Sequence, residues 1–180
     1  MGNEEAADAI GSFFREWARL VLPDRHDGER LRRIMADPAA RVLPIFQEKN
    51  LVIGDDPVQP VILPLSRALA LPERARGLTL LGILGDAPLF TADVSDSEQA
   101  PNIFAGEGRF TELWTVLSLL DEEHAALLGY ARAMTYWHSR HRYCGVCGAP
   151  THIAEAGHVR TCRESGCGAQ IFPRTDPAVI

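Results

Sequence analysis

An α+β domain followed by a small four-cysteine ribbon is the architecture this sequence predicts, and three observations carry it. All four cysteines fall within 24 residues near the C-terminus, as Cys144-Gly-Val-Cys147 and Cys162-Arg-Glu-Ser-Gly-Cys167. The middle of the chain holds short apolar runs separated by turn residues, whereas the flanking stretches place apolar residues at helical spacing. Charge divides along the same line: residues 1–137 carry 13 basic and 21 acidic side chains, residues 138–180 only 5 and 3.

Residues 4–21 read as an amphipathic helix, with Ile10, Phe13, Phe14, Trp17 and Leu20 or Val21 on one face and Pro23 ending it. A second helix starts near Asp27 and carries Leu31, Ile34 and Met35 inward as far as Pro38. The period then becomes that of strands. Residues 41–46 and 51–53 form a hairpin across Gln47-Glu-Lys-Asn50, residues 61–63 supply another strand, and 78–84 pair with 89–94 across Gly85-Asp-Ala-Pro88. After a polar loop from Ser95 to Gly108, Phe110, Leu113, Trp114 and Leu117 form a helical stripe. The last helix is the best marked. Asp121 caps it, Glu122 and Glu123 occupy its first turn, and Arg140, His141 and Arg142 gather at its far end, complementing the helix dipole by ~0.3–1 kcal/mol each. Its inward face runs through Leu127, Leu128, Ala131, Met134 and Trp137 or His138, and it delivers Cys144 at its exit. Strands grouped between helices make the N-terminal unit α+β.

Two facing Cys-x₂₋₄-Cys turns supply the tetrahedron of thiolates that Zn²⁺ prefers, so Cys144, Cys147, Cys162 and Cys167 are the expected ligands of one structural ion. Gly148 and Gly168 follow the second cysteine of each pair, where a positive φ lets backbone N–H groups approach sulfur. A disulfide scaffold would spread its cysteines along the chain, and Glu4, Glu5 and Asp8 stand where a secretory signal would be basic and then apolar. Four thiolates leave no open position for water, so the metal folds the chain and does no chemistry. His138 and His141 are then expected to cap or support the site, and His152 and His158 could replace a cysteine only in a variant site.

With 180 residues and 46 % hydrophobic content the chain can bury one core and carry a small second module. Its acidic N-terminal part would repel a nucleic-acid backbone outside a local patch. No apolar run approaches the length of a membrane span. A cytoplasmic protein without a membrane partner is expected.

The run Tyr136-Trp-His-Ser-Arg-His-Arg-Tyr-Cys-Gly-Val-Cys-Gly-Ala-Pro-Thr151, continued by Ile171-Phe-Pro-Arg-Thr-Asp-Pro177, resembles the NADH pyrophosphatase branch of the Nudix hydrolases. Ala39-Ala-Arg-Val-Leu-Pro44 and residues 81–95 resemble the N-terminal domain of that family, so the likeness spans roughly residues 23–180. The resemblance implies an N-terminal Nudix-associated domain over 1–135, a zinc ribbon with its lead-in helix end over 136–175, and the start of a truncated catalytic domain over 176–180. It implies hydrolysis of the pyrophosphate of NADH or NAD⁺ to the nicotinamide mononucleotide and AMP, with NAD-capped RNA as a further substrate and a homodimer as the working form. In the family, Mg²⁺ or Mn²⁺ held by the carboxylates of the Nudix box assists attack of water on phosphorus. That box is absent here. The only Glu-Glu pairs are Glu4-Glu5 and Glu122-Glu123, neither preceded by the Arg-Glu that the box requires. The chain therefore reads as the front portion of a longer enzyme, or a natural fragment of one, inactive alone and with no catalytic residue of its own.

The resemblance also implies that Phe172 lies near the bound nucleotide, where its ring could stack on a base; packing between ribbon and catalytic domain is the other reading. Trp114 stands where relatives often carry an arginine, and packing in a core or interface is expected of it. Arg140, Arg142, Arg160, Arg163 and Arg174 are expected to offset the charge of a tetrathiolate site, or else to touch RNA phosphate. The alternative to the enzyme reading is a non-catalytic zinc-ribbon module that binds protein or nucleic acid.

Overall fold

The computed structural model describes residues 28–71, 76–84 and 87–173. The helix expected over 4–21 and the strand start expected over 176–180 lie outside them. Helix α1 (Gly28–Met35) is followed by β1 (Arg41–Phe46) and β2 (Lys49–Ile53). The hairpin turn is Gln47-Glu48, both at positive φ (48° and 63°), the mirror-type turn whose twist matches its strands. Lys49 and Asn50, expected in the turn, belong instead to β2 and pair with Phe46 and Ile45. The strand expected over 61–63 is two short ones, β3 (Gln59–Pro60) and β4 (Leu63–Pro64), and a short helix α2 (Leu65–Leu69) follows.

Strands β5 (Arg76–Leu84) and β6 (Ala87–Asp93) pair antiparallel, and β6 lies parallel to β1. One mixed sheet results, ordered β3-β2-β1-β6-β5. Its central strands are buried on both faces, which is why they read as continuous apolar runs. Val42, Leu51, Leu80 and Phe90 face one core with Leu65, Ala68 and Phe104, against which Leu31 and Ile34 of α1 pack. Their neighbours Leu43, Val52, Leu81 and Leu89 face a second core on the other side.

The 95–108 loop contains a short helix, α3 (Ala100–Ile103). The helical stripe expected through Phe110 and Leu117 is not formed. Arg109–Thr111 is a strand, β7, that pairs with β2 through Leu51 and Phe110, and Phe110 packs on Phe46 at 5.4 Å between ring centres. Only Leu113–Val116 is helical (α4), followed by a 3-10 turn over Leu117–Leu119. Trp114 is 71 % exposed, which removes it from the core.

Helix α5 (Glu122–Arg140) closes the second core with Leu127, Leu128, Ala131, Met134 and Trp137. Its cap forms as the sequence indicates, the His124 N–H donating to Asp121 Oδ1 at 2.7 Å, a bond worth about 1 kcal/mol. Asn50 Nδ2 donates to Leu128 O at 3.1 Å and ties the sheet to this helix. Beyond α5 a separate three-stranded sheet, β8 (Thr151–Ala154), β9 (Val159–Cys162) and β10 (Gln170–Ile171), forms the ribbon. Among the described residues no helix is long and apolar enough to cross a membrane.

Candidate metal centre

The two cysteine turns are built alike. In the first, Cys144 N–H donates to Ala149 O at 2.8 Å, and Gly148, at φ +78°, returns its N–H to Cys144 O at 2.9 Å. In the second, Cys162 N–H donates to Ala169 O at 2.9 Å, and Gly168, at φ +56°, returns its N–H to Glu164 O at 3.1 Å. Both glycines take the left-handed conformation their positions required. Backbone N–H groups point at sulfur in both turns, among them Val146 N–H to Cys144 Sγ and Glu164 N–H to Cys162 Sγ, both 3.4 Å.

Strand β9 and the loop after α5 bring the turns face to face, and all four sulfurs lie within 4.8 Å of one another. Cys144 Sγ is 3.8 Å from Cys167 Sγ, and Cys147 Sγ is 3.5 Å from Cys162 Sγ. A disulfide needs about 2.05 Å. A tetrahedral Zn²⁺ with Zn–S bonds of about 2.3 Å places its sulfurs about 3.8 Å apart, so the donor set fits that ion in identity, number and spacing. The thiols cannot all ionise unaided. The backbone N–H groups of Cys147 and Val146 lower Cys144 to about 7. At Cys162 the Glu164 N–H favours the thiolate, but burial and the sulfurs of Cys147, Cys144 and Cys167 outweigh it and push the thiol up to about 12. Only a bound cation makes four adjacent thiolates tolerable.

No histidine joins the cluster among the described residues. His138 is buried and bonds to Thr79 and Arg160 rather than to a sulfur. Arg160 Nη1 donates to its Nδ1 at 3.1 Å, leaving the proton on Nε2 to be donated to Thr79 Oγ1 at 3.0 Å; the Thr79 hydroxyl in turn donates to Gly77 O at 2.9 Å. His141 Nδ1 donates to Trp137 O at 2.7 Å, and His158 Nε2 to Leu80 O at 2.9 Å. Arg160 is likewise not a surface counter-charge. It is 8 % exposed, donates from Nε to Thr151 Oγ1 at 2.7 Å, and has its pKa lowered first by burial and then by the charges of Arg142 and Arg163. Phe172 stands 55 % exposed just past β10.

These contacts join the ribbon to β5, an arrangement the sequence does not disclose. Gly157, at φ +99°, ends a 3-10 turn (Glu155–Gly157) laid directly on that strand: a Cβ there would stand 2.5 Å from Thr79 Oγ1 and 2.6 Å from Thr79 Cα. The buried His138 gives the joint a pH dependence. Burial first, and Arg160 second, lower its pKa from 6.5 to about 4. Between those values the unfolded chain binds a proton that the folded chain does not. Stability is therefore complete above pH 6.5 and falls as pH drops toward 4, by up to about 3 kcal/mol. Denaturant melts of His138→Gln against the parent over that range are expected to show a shallower decline in the variant; parallel curves would exclude the effect.

Comparison with known proteins agrees with this geometry. A family model described as an NADH pyrophosphatase-like rudimentary NUDIX domain matches residues 39–137, and one described as the NADH pyrophosphatase zinc ribbon domain matches residues 139–172. The chain is 31 % identical over 100 residues to the NAD-capped RNA hydrolase NudC of Stutzerimonas stutzeri, covering 56 % of this chain and 34 % of the relative. It is 28 % identical over 136 residues to the protein of the same name from Deinococcus radiodurans, covering 76 % and 43 %. It is 36 % identical over 77 residues to the chloroplastic Nudix hydrolase 19 of Arabidopsis thaliana, covering 39 % and 18 %. The chain thus spans less than half the length of these relatives. Since the first family model alone covers more than half of the chain, and the second takes up the four cysteines where it ends, the protein belongs to the NADH pyrophosphatase family of Nudix proteins.

Proposed function

We propose that this chain is the N-terminal and zinc-ribbon portion of an NAD(H) diphosphatase that cleaves the pyrophosphate of NADH or NAD⁺ to the nicotinamide mononucleotide and AMP, with NAD-capped RNA as a further substrate. The observation that carries the reading is the succession of the two family matches in one chain, ribbon directly after rudimentary domain. The printed names of the relatives support the substrate class. In this reading residues 1–135 form the N-terminal domain, 136–175 the ribbon, and 176–180 the start of the catalytic domain.

Cys144, Cys147, Cys162 and Cys167 hold one Zn²⁺, which when bound supplies cross-linking and no acid–base chemistry. The chain's own residues position rather than react: the ribbon, locked onto β5 through Gly157 and His158 and onto α5 through Arg160, presents Phe172 where its ring can stack on a nucleotide base. Hydrolysis depends on Mg²⁺ or Mn²⁺ held by carboxylates of a Nudix box that this sequence lacks. Glu122 and Glu123 sit in the first turn of α5, where the helix dipole accounts for them. The working form is a cytoplasmic homodimer, in a compartment that keeps the thiols reduced. Incubation of the purified chain with NADH and Mn²⁺ is expected to release no AMP. Robust turnover by these 180 residues would overturn the claim that the catalytic carboxylates lie elsewhere.

A further inference from the structure

Between the ribbon, the exit of α5 and the α1 side of β5 and β6 lies a cavity of about 920 Å³. That is within the range of about 300–1,000 Å³ typical of small-molecule sites. Its walls combine three chemistries. The basic part is Arg160 from β9 and Arg142 just after α5. Arg160 bonds only neutral partners, His138 Nδ1, Thr151 Oγ1 and Thr151 O. Among the described residues neither arginine, nor the neighbouring Arg163, forms an ion pair with a carboxylate. The loaded thiolate cluster carries negative charge, yet Arg160 makes no bond to a sulfur. A guanidinium this buried gains from an anion placed against it.

A bare anion does not suit the rest of the cavity. Asp93 and Asp96, at the end of β6 and in the loop after it, and Glu155, just after β8, line the same space and would repel one. Asp93 already accepts from Ser95 N–H at 3.0 Å, which leaves its second oxygen for a donor such as a ribose hydroxyl or an exocyclic amine. Leu31, Leu78 and Ile153 add an apolar wall, and most of the exposed lining is apolar. Phosphate, donor-bearing sugar and flat apolar base occur together in a nucleotide.

We propose that this cavity is a nucleoside monophosphate site, with the phosphate against Arg142 and Arg160, the sugar or base donors on Asp93, and the base on Leu78 and Ile153. The proposal does not rest on the hydrolase reading, because binding by this chain needs no turnover.

Isothermal titration of the zinc-loaded 180-residue chain with AMP, adenosine and inorganic phosphate tests it. AMP is expected to bind, with adenosine and inorganic phosphate each weaker by about ten-fold or more, the loss of one charge-assisted contact set. Arg142 is exposed. Arg142→Glu and the milder Arg142→Gln are both expected to weaken AMP, the first by about ten-fold or more, with zinc content and melting temperature unchanged. Absence of AMP binding at millimolar concentration overturns the proposal. So does adenosine matching AMP, inorganic phosphate matching AMP, or an AMP affinity indifferent to both substitutions.

Discussion

Chelation of the metal, or replacement of Cys162 by serine, is expected to unfold the ribbon over residues 144–171 while leaving most of the helical signal in place. Structural Zn²⁺ contributes on the order of 10 kcal/mol to a module of this kind, far more than its small core could supply. Within the ribbon only Cys144, Val159 and Cys162 are buried apolar residues, so the sheet β8-β9-β10 has almost no core apart from the sulfurs and its seat on β5. The helical signal survives because α5 is held by the second core, through Leu127, Leu128, Ala131 and Met134, rather than by the metal. Chelation should still lower the stability of the N-terminal unit by freeing Arg160 from His138 and Gly157 from Thr79. Far-ultraviolet circular dichroism and amide exchange before and after chelation read the two parts separately. Full retention of exchange protection in β8 and β9 without metal would contradict the account.

Substitution of Gly157 by valine is expected to be the most damaging single change outside the cysteines, at about 3–5 kcal/mol. Two costs combine there. A β-branched residue at φ +99° is strained by roughly 1–3 kcal/mol, and its Cβ would overlap the Thr79 backbone, a clash worth about 1–3 kcal/mol even after relaxation. The neighbour cannot yield, because Thr79 is fully buried in β5 opposite Thr91. The melting temperature should fall by about 10 °C. Zinc content should be retained, since Gly157 lies outside both cysteine turns and bonds to no sulfur. Gly148 offers a control: nothing lies within 4 Å of a Cβ there, so Gly148→Ala costs only the backbone strain of φ +78°. Equal destabilisation by the two substitutions would remove the ribbon–sheet joint from the explanation.

The parts of this structure legible in the sequence are those whose cause is local. Cysteine spacing, the glycine after each pair, the Asp121 cap and the inward face of α5 each depend on residues within a few turns of one another, and each is observed. The doubly buried strands were also readable, because burial on both faces demands unbroken apolar runs. Failures came where a distant partner decides the outcome. Phe110, Leu113, Trp114 and Leu117 match helical spacing, yet pairing of Phe110 with Leu51 draws residues 109–111 into the sheet and turns Trp114 to solvent. His138 next to a cysteine pair suggested support of the metal; its partners are Thr79 and Arg160, brought together by docking of the ribbon on β5. The one available hint was Gly157, a glycine outside either cysteine turn, whose need for close approach becomes visible only once Thr79 is beneath it.

Four sulfurs are expected to grip one ion and thereby build the joint between ribbon and sheet. Native mass spectrometry of anaerobically purified protein tests it most directly. One zinc per chain with all four thiols reduced on release is the predicted result, and Cys144→Ser and Cys167→Ser should each weaken retention of the ion. A metal-free chain that keeps its fold, or one whose cysteines are joined as disulfides, would contradict the account.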